Sequence, residues 1–163
     1  MLGMTKPEGL IGDLLRARGL KLATAESCTG GLIASRITDI PGSSDYFLGG
    51  IVAYSYEAKV ELLGVSWDTL KQFGAVSRET VLEMARGVRK ALGAELAIAV
   101  SGIAGPGGGL PNKPVGTTWI GLSASDGDRA ELFQFQGDRE QNKASAADRA
   151  LEILIKHLDG GTE

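Results

Sequence analysis

Leu10, Ile11, Leu14 and Leu15 recur at helical spacing and predict an amphipathic helix over residues 8–18, closed by Gly19. The period then changes. LKLATAES (20–27) reads as a short buried strand, SCTGG (27–31) as a tight turn, and GLIASRITDI (31–40) as a helix ended by Pro41-Gly42. YFLGGIVAYS (46–55) reads as a central strand, apolar on both faces, in which Gly49 and Gly50 mark a bulge or a close backbone approach. YEAKVELLG (56–64) carries helix formers and a Gly64 stop, and Ser66 and Ser77 have the character of N-caps. Val81, Met84, Val88 and Leu92 share one face of a helix over 78–92, with Glu79 in its first turn. ELAIAVSG (95–102) is a further buried strand. A Gly/Pro-rich loop, IAGPGGGLPNKP (103–114), follows it. VGTTWIGLSAS and RAELFQFQG predict an antiparallel hairpin turning at Asp126-Gly127-Asp128. A long helix over 139–158 closes the chain, with Ala146, Ala150, Ile153, Leu154 and Leu158 on its buried side.

Strands and helices alternate first, and a hairpin follows late. That order predicts one α/β domain, a three-layer α/β/α sandwich with a mixed, mostly parallel sheet and a late antiparallel hairpin. It spans residues 1–163, with its core at about 8–158, and Pro7 ends a loose N-terminal tail.

Composition narrows the chemistry. Of 163 residues 43% are hydrophobic, enough for a core without staples, and the net charge of −3 argues against general nucleic-acid affinity. Cys28 is the single cysteine, which excludes an internal disulfide and a multi-cysteine zinc site and suits a reducing cytosol. His157 is the single histidine, so chemistry needing a histidine pair is excluded. The first residues lack the apolar core of a signal peptide, and no segment approaches the ~20 apolar residues that cross a bilayer. A cytoplasmic protein with no membrane partner is expected.

Four places can carry chemistry. In Ala25-Glu26-Ser27-Cys28-Thr29-Gly30-Gly31, a strand delivers a serine to a turn just before a helix, where free N–H groups suit an oxyanion or a phosphate. The same residues also suit a simple helix cap. Cys28 is a rival nucleophile, or a small core side chain. Lys59, in Tyr54-Ser55-Tyr56-Glu57-Ala58-Lys59, can act as a base if partly buried, or be a surface lysine. Tyr54 and Tyr56 can orient a substrate or pack on the sheet. Ser101-Gly102-Ile103-Ala104-Gly105-Pro106-Gly107-Gly108-Gly109 matches no standard phosphate fingerprint and reads as an anion-binding loop or a lid. Arg139, after Gly137-Asp138, can hold a phosphate or carboxylate bidentately, while Asp138 suits a helix cap.

In this order, AESCTGG, YSYEAK, SGIAGPGGG followed by KPVG, and GDRE resemble the C-terminal domain of the competence/damage-inducible CinA proteins, a family that includes nicotinamide-nucleotide amidohydrolases. The resemblance covers about residues 8–158. It implies hydrolysis of the carboxamide of nicotinamide mononucleotide to nicotinate mononucleotide and ammonia, in pyridine-nucleotide salvage, without metal or cofactor. It implies a homo-oligomer, a dimer or larger. It implies Ser27 as nucleophile, Lys59 as base and Tyr54 beside them, with N–H groups around Thr29, Gly30 and Gly31 at the oxyanion. Ser101, Gly102, Gly105, Arg139 and, more weakly, Tyr56 would contact the substrate. Relatives often carry an arginine three residues after GDRE; this chain has Gln141-Asn142-Lys143, so Lys143 would replace it without the planar fork of a guanidinium. Two other readings stay open: a non-catalytic nucleotide-binding or regulatory module, and a small phosphotransferase built on the Gly-rich loop.

Overall fold

Burial alternates along two neighbouring strands, and that alternation sets the layers. In β1 (Leu22–Glu26), Leu22 faces one way and Ala23 and Ala25 the other; in β3 (Leu96–Gly102), Leu96, Ile98 and Val100 oppose Ala97 and Ala99. The bulky face packs on α1 (Pro7–Arg18), α2 (Leu32–Thr38) and α6 (Arg139–Leu158). The alanine face receives α5 (Arg78–Leu92), flanked by α3 (Tyr56–Leu63) and α4 (Trp67–Phe73). The remaining strands are β2 (Phe47–Val52), β4 (Thr117–Ala124) and β5 (Gly127–Gln134). The computed structural model describes residues 5–160; residues 1–4 of the tail expected before Pro7 lie outside them. No helix among the described residues is long and apolar enough to cross a membrane.

The sheet order is β2-β1-β3-β4-β5. β2, β1 and β3 are mutually parallel, while β4 pairs antiparallel with both β3 and β5, so four of the five strands run one way. This is the mixed, mostly parallel sheet between helical layers that the sequence predicts. The 46–55 strand is corrected, however. β2 is an edge strand with alternate residues exposed, and the strands buried on both faces are β1 and β3. Its two glycines limit the apolar surface it can bury. The register slips between Leu22 and Ala23 opposite Phe47 and Gly49, and a Cβ on Gly50 would stand 2.3 Å from Thr24 Oγ1, so both features foreseen for these glycines are present. The hairpin turn is corrected by one residue: Ala124 pairs with Gly127, so Ser125 and Asp126 form the turn and Asp128 lies within β5 opposite Ser123.

Caps fix the helix starts. Ser66 accepts from Asp68 N and Ser77 from Thr80 N, and Asp138 and Gln141 form a reciprocal capping box at α6. Gly19, Gly64 and Gly93 end α1, α3 and α5 in left-handed geometry.

Chain direction places the site. From the C-terminal end of β1 the chain crosses to β2, and from β2 it returns over the opposite face to β3. The ends of β1 and β3 therefore flank a switch point, where open α/β sheets form a crevice. Ser27, Ala53 and Ser101 all emerge at this edge.

α5 lies close to α3 because Gly87 carries no side chain. An added Cβ would stand 1.9 Å from the Leu63 carbonyl oxygen. On an exposed helix face Gly→Ala stabilises by ~1 kcal/mol. Here the sign reverses: Gly87→Ala should destabilise by about 1–3 kcal/mol, read as a lower urea midpoint at unchanged slope.

Candidate active site

Ser27 follows β1 directly. Its N–H donates to Val100 O of β3 at 3.0 Å, and its carbonyl accepts from Gly30 N at 3.0 Å, so the serine starts a closed turn and its hydroxyl lines a cleft. Lys59 arrives from the other crossover. Ser55 caps α3 by accepting from Ala58 N, and Lys59 and Leu63, four residues apart, form the buried stripe of that helix. The lysine is therefore on the inward face, 1% exposed.

Lys59 Nζ lies 3.0 Å from Ser27 Oγ. It donates to Ala53 O at 2.9 Å and to Tyr54 O at 3.4 Å. A neutral amine has two protons and one lone pair. As an ammonium Lys59 donates to Ser27 Oγ and both carbonyls; once it loses a proton, the two carbonyls retain the other two and the lone pair is left for the serine hydroxyl. Lys59 makes no ion pair among the described residues. Burial therefore acts with little opposition and lowers its pKa from 10.5 to about 8, a small contrary pull coming from Cys28.

Cys28 lines the same cleft but is an unsuitable nucleophile. Burial pushes its thiol up to about 11, against opposing pulls from its own backbone and from the charges of Lys59 and Lys143, so the thiolate is scarce at neutral pH.

The cleft has a volume of about 270 Å³. Ser101, Gly102 and Gly105 line it, and Ser101 Oγ donates to Ala75 O at 2.8 Å, which ties β3 to the segment before α5. Arg139 spans its mouth, donating to Gly105 O at 2.7 Å and to the Tyr54 hydroxyl at 2.9 Å. Tyr54 itself is 61% exposed, so its ring forms the rim and its carbonyl the floor.

Other expected residues lie elsewhere. Thr29 is buried, and its hydroxyl donates to Glu26 Oε1 at 2.6 Å, so its side chain is not a cleft group. Gly30 and Gly31 shape the turn beneath the serine and do not line the cleft. The Gly30 N–H is committed to Ser27 O, whereas those of Cys28, Thr29 and Gly31 make no backbone hydrogen bond among the described residues. Tyr56 opens α3 and is exposed away from the cleft. Lys143 lines a separate hollow of about 470 Å³ with Leu32, Glu140 and Ala144, and Arg139 borders both spaces.

Four residues at the site have no role in the sequence reading. Glu26 gathers the first turn of α2, with Ile33 N at 2.9 Å and Ala34 N at 3.0 Å. Asn142 is buried, donates to Ala104 O at 3.0 Å and accepts from Gly137 N at 3.0 Å, which anchors the Gly-rich loop to α6. Ala75 and Val76 contribute a wall. Glu26 alone carried a visible signal: the alternation Leu22, Thr24, Glu26 puts a carboxylate on the core face of a buried strand.

A serine hydroxyl beside a buried, uncompensated lysine at the switch point of a mixed sheet defines a three-layer α/β domain with a Ser–Lys pair. The chain belongs to the CinA family, matching the CinA C-terminal domain over residues 4–158. It is 51% identical over 149 residues to a putative competence-damage inducible protein of Halothermothrix orenii, covering 91% of this chain and 36% of that one. It is 53% identical over 153 residues to a CinA-like protein of Chloroherpeton thalassium, covering 91% and 36% respectively. The chain thus spans about a third of the length of the curated relatives it matches. Among solved structures, the competence damage-inducible protein A (ComA) of Klebsiella pneumoniae superposes with a TM-score of 0.91 at 38% identity, covering 94% of this chain and 95% of that one. The competence/damage inducible protein CihA of Agrobacterium tumefaciens gives 0.85 at 42% identity, covering 93% and 96%.

The lowered lysine pKa has a sign that stability measurements can read. Between pH 8 and 10.5 the unfolded chain binds a proton at residue 59 that the folded chain has released, so stability rises with pH there. Below pH 8 the cost of the buried ammonium is full and constant. Wild type should gain about 2 kcal/mol relative to Lys59→Met between pH 7 and 9.5, measured by urea unfolding.

Proposed function

We propose that this chain is a nicotinamide-nucleotide amidohydrolase that converts nicotinamide mononucleotide to nicotinate mononucleotide and ammonia through a Ser–Lys mechanism. The observation that carries the reading is the 3.0 Å approach of a buried, uncompensated Lys59 amine to Ser27 Oγ inside a cleft. The family membership supports it, and the resemblance carried by AESCTGG, YSYEAK and SGIAGPGGG implies the substrate class.

In this mechanism neutral Lys59 takes the Ser27 proton as Oγ bonds to the carboxamide carbon. The oxyanion accepts from the Cys28 and Thr29 N–H groups, which follow Ser27 directly and, with that of Gly31, make no backbone hydrogen bond. The tetrahedral intermediate collapses, the C–N bond breaks, and the Lys59 ammonium gives its proton to departing ammonia. Water then attacks the acyl ester with Lys59 again as base, and Ser27 regains its proton as the nicotinate carboxylate leaves. The cleft takes the pyridine carboxamide. Arg139 exchanges its Tyr54 contact for the substrate's anionic part, with Lys143 alongside in the adjoining hollow.

An ammonia-release assay with nicotinamide mononucleotide, run with and without a chelator, tests this directly. Wild type should turn over equally in both, with kcat/KM rising toward a plateau through an apparent pKa of about 8 as Lys59 loses its proton. Ser27→Ala should lose on the order of 10⁶-fold in kcat. Thermal stabilisation by the nucleotide without ammonia release, or full activity in Ser27→Ala, would overturn the assignment.

A further inference from the structure

Glu26 is the one buried acid at the site that the mechanism above leaves idle. It ends β1, directly before Ser27, and is 1% exposed. A buried carboxylate is costly unless donors surround it. It makes no ion pair among the described residues. Three neutral donors hold it instead: Thr29 Oγ1 at 2.6 Å, Ile33 N at 2.9 Å and Ala34 N at 3.0 Å.

Two of these donors are first-turn N–H groups of α2, which no residue within the helix can satisfy. The positive end of that helix attracts anions, and a helix starting just after a candidate nucleophile would normally offer it to substrate. Here the chain's own carboxylate occupies it. The third donor, Thr29, lies two residues beyond Ser27. The carboxylate therefore grips the nucleophile turn from both sides, through its own peptide link to Ser27 and through Thr29, and fastens both to α2. Three backbone bonds add to this grip: Ser27 N–H to Val100 O, Gly30 N–H to Ser27 O and Leu32 N–H to Thr29 O.

We propose that Glu26 is a positioning residue for Ser27. Its carboxylate fixes the turn so that Oγ stays against Lys59 Nζ and the Cys28 and Thr29 N–H groups keep one orientation. The same occupancy assigns the helix end to internal bonding, so substrate anions are held from the Arg139 side. The proposal rests on the Ser–Lys reading, and it concerns geometry rather than substrate identity. A misplacement of about 1 Å at reacting atoms costs on the order of 100-fold in rate.

Glu26→Gln keeps the shape but replaces one acceptor with an NH₂ donor that faces another donor. Thr29→Val removes one of the three donors and leaves the carboxylate. Each variant, in the full chain, is assayed for kcat and KM with nicotinamide mononucleotide, for covalent labelling of Ser27 by a fluorophosphonate, and for urea unfolding. Glu26→Gln should lower kcat and the labelling rate by about 100-fold while KM moves less than about threefold, in protein that is folded at the assay temperature. Thr29→Val should lower both rates by about 10-fold with KM unchanged, following the loss of one of three donors. A purely structural role would lower the urea midpoint and leave the rates of the folded protein intact, and that result overturns the proposal. So does a loss confined to KM in either variant. If Glu26→Gln fails to fold, Thr29→Val decides, and wild-type rates in it are contrary. Wild type that is labelled but releases no ammonia contradicts the nucleotide assignment alone, and the labelling rates still decide the role of Glu26. Wild type that resists labelling contradicts both.

Discussion

A buried lysine amine with no carboxylate beside it among the described residues governs this structure. Burial disfavours its charged form, and a fall from 10.5 to about 8 corresponds to about 3 kcal/mol of lost preference for the proton. The fold sustains that cost because α3 carries Lys59 on its inward stripe and because the carbonyls of Ala53 and Tyr54 receive the amine protons. A carboxylate near Nζ would offset that cost and hold the amine protonated, which removes the free lone pair. Glu26 is only one residue from Ser27, yet its oxygens turn to α2 and leave the amine uncompensated.

The sheet makes this meeting possible. Ser27 and Lys59 are brought together because β1 sits between two parallel partners and the crossovers on its two sides leave by opposite faces. The alanine face of β1 and β3 lets α5 lie close, and α5 in turn backs α3, the helix that holds the lysine. Stability and chemistry thus share residues. Gly87 is a packing position and also part of what keeps Lys59 inside.

Much of this was legible in the chain. Periodicity placed the helices of 78–92 and 139–158 because their apolar stripes are long and their caps, Ser77 and Asp138, are strong. The four site segments were identified before any geometry, and the structure brings Ser27, Lys59, Tyr54, Ser101 and Arg139 to one cleft. The edge position of β2 was not legible. An apolar run has the same composition in an edge strand as in a central one, and only pairing decides. The turn at Ser125–Asp126 was missed by one residue because Asp126-Gly127 is a strong local signal, yet Gly127 extends the ladder here. The expectation for Thr29 concerned its N–H group; its hydroxyl has a separate task, satisfying the buried acid of Glu26 three residues before it. Tyr56 has the ring of a substrate-orienting or packing residue and Lys143 rests on the resemblance; the geometry puts Tyr56 outside the cleft and Lys143 in the neighbouring hollow.

The chemistry at Ser27 depends on the charge state of one side chain. Titrating ¹³Cε-labelled lysines by NMR, with Lys59→Met to assign the resonance, reads that state without substrate. A midpoint for Lys59 near 8 is the predicted result. A midpoint at the ordinary lysine value of about 10.4 would leave fewer than about one amine in a thousand neutral at pH 7, against about one in ten for a midpoint of 8, and contradict its role as the base.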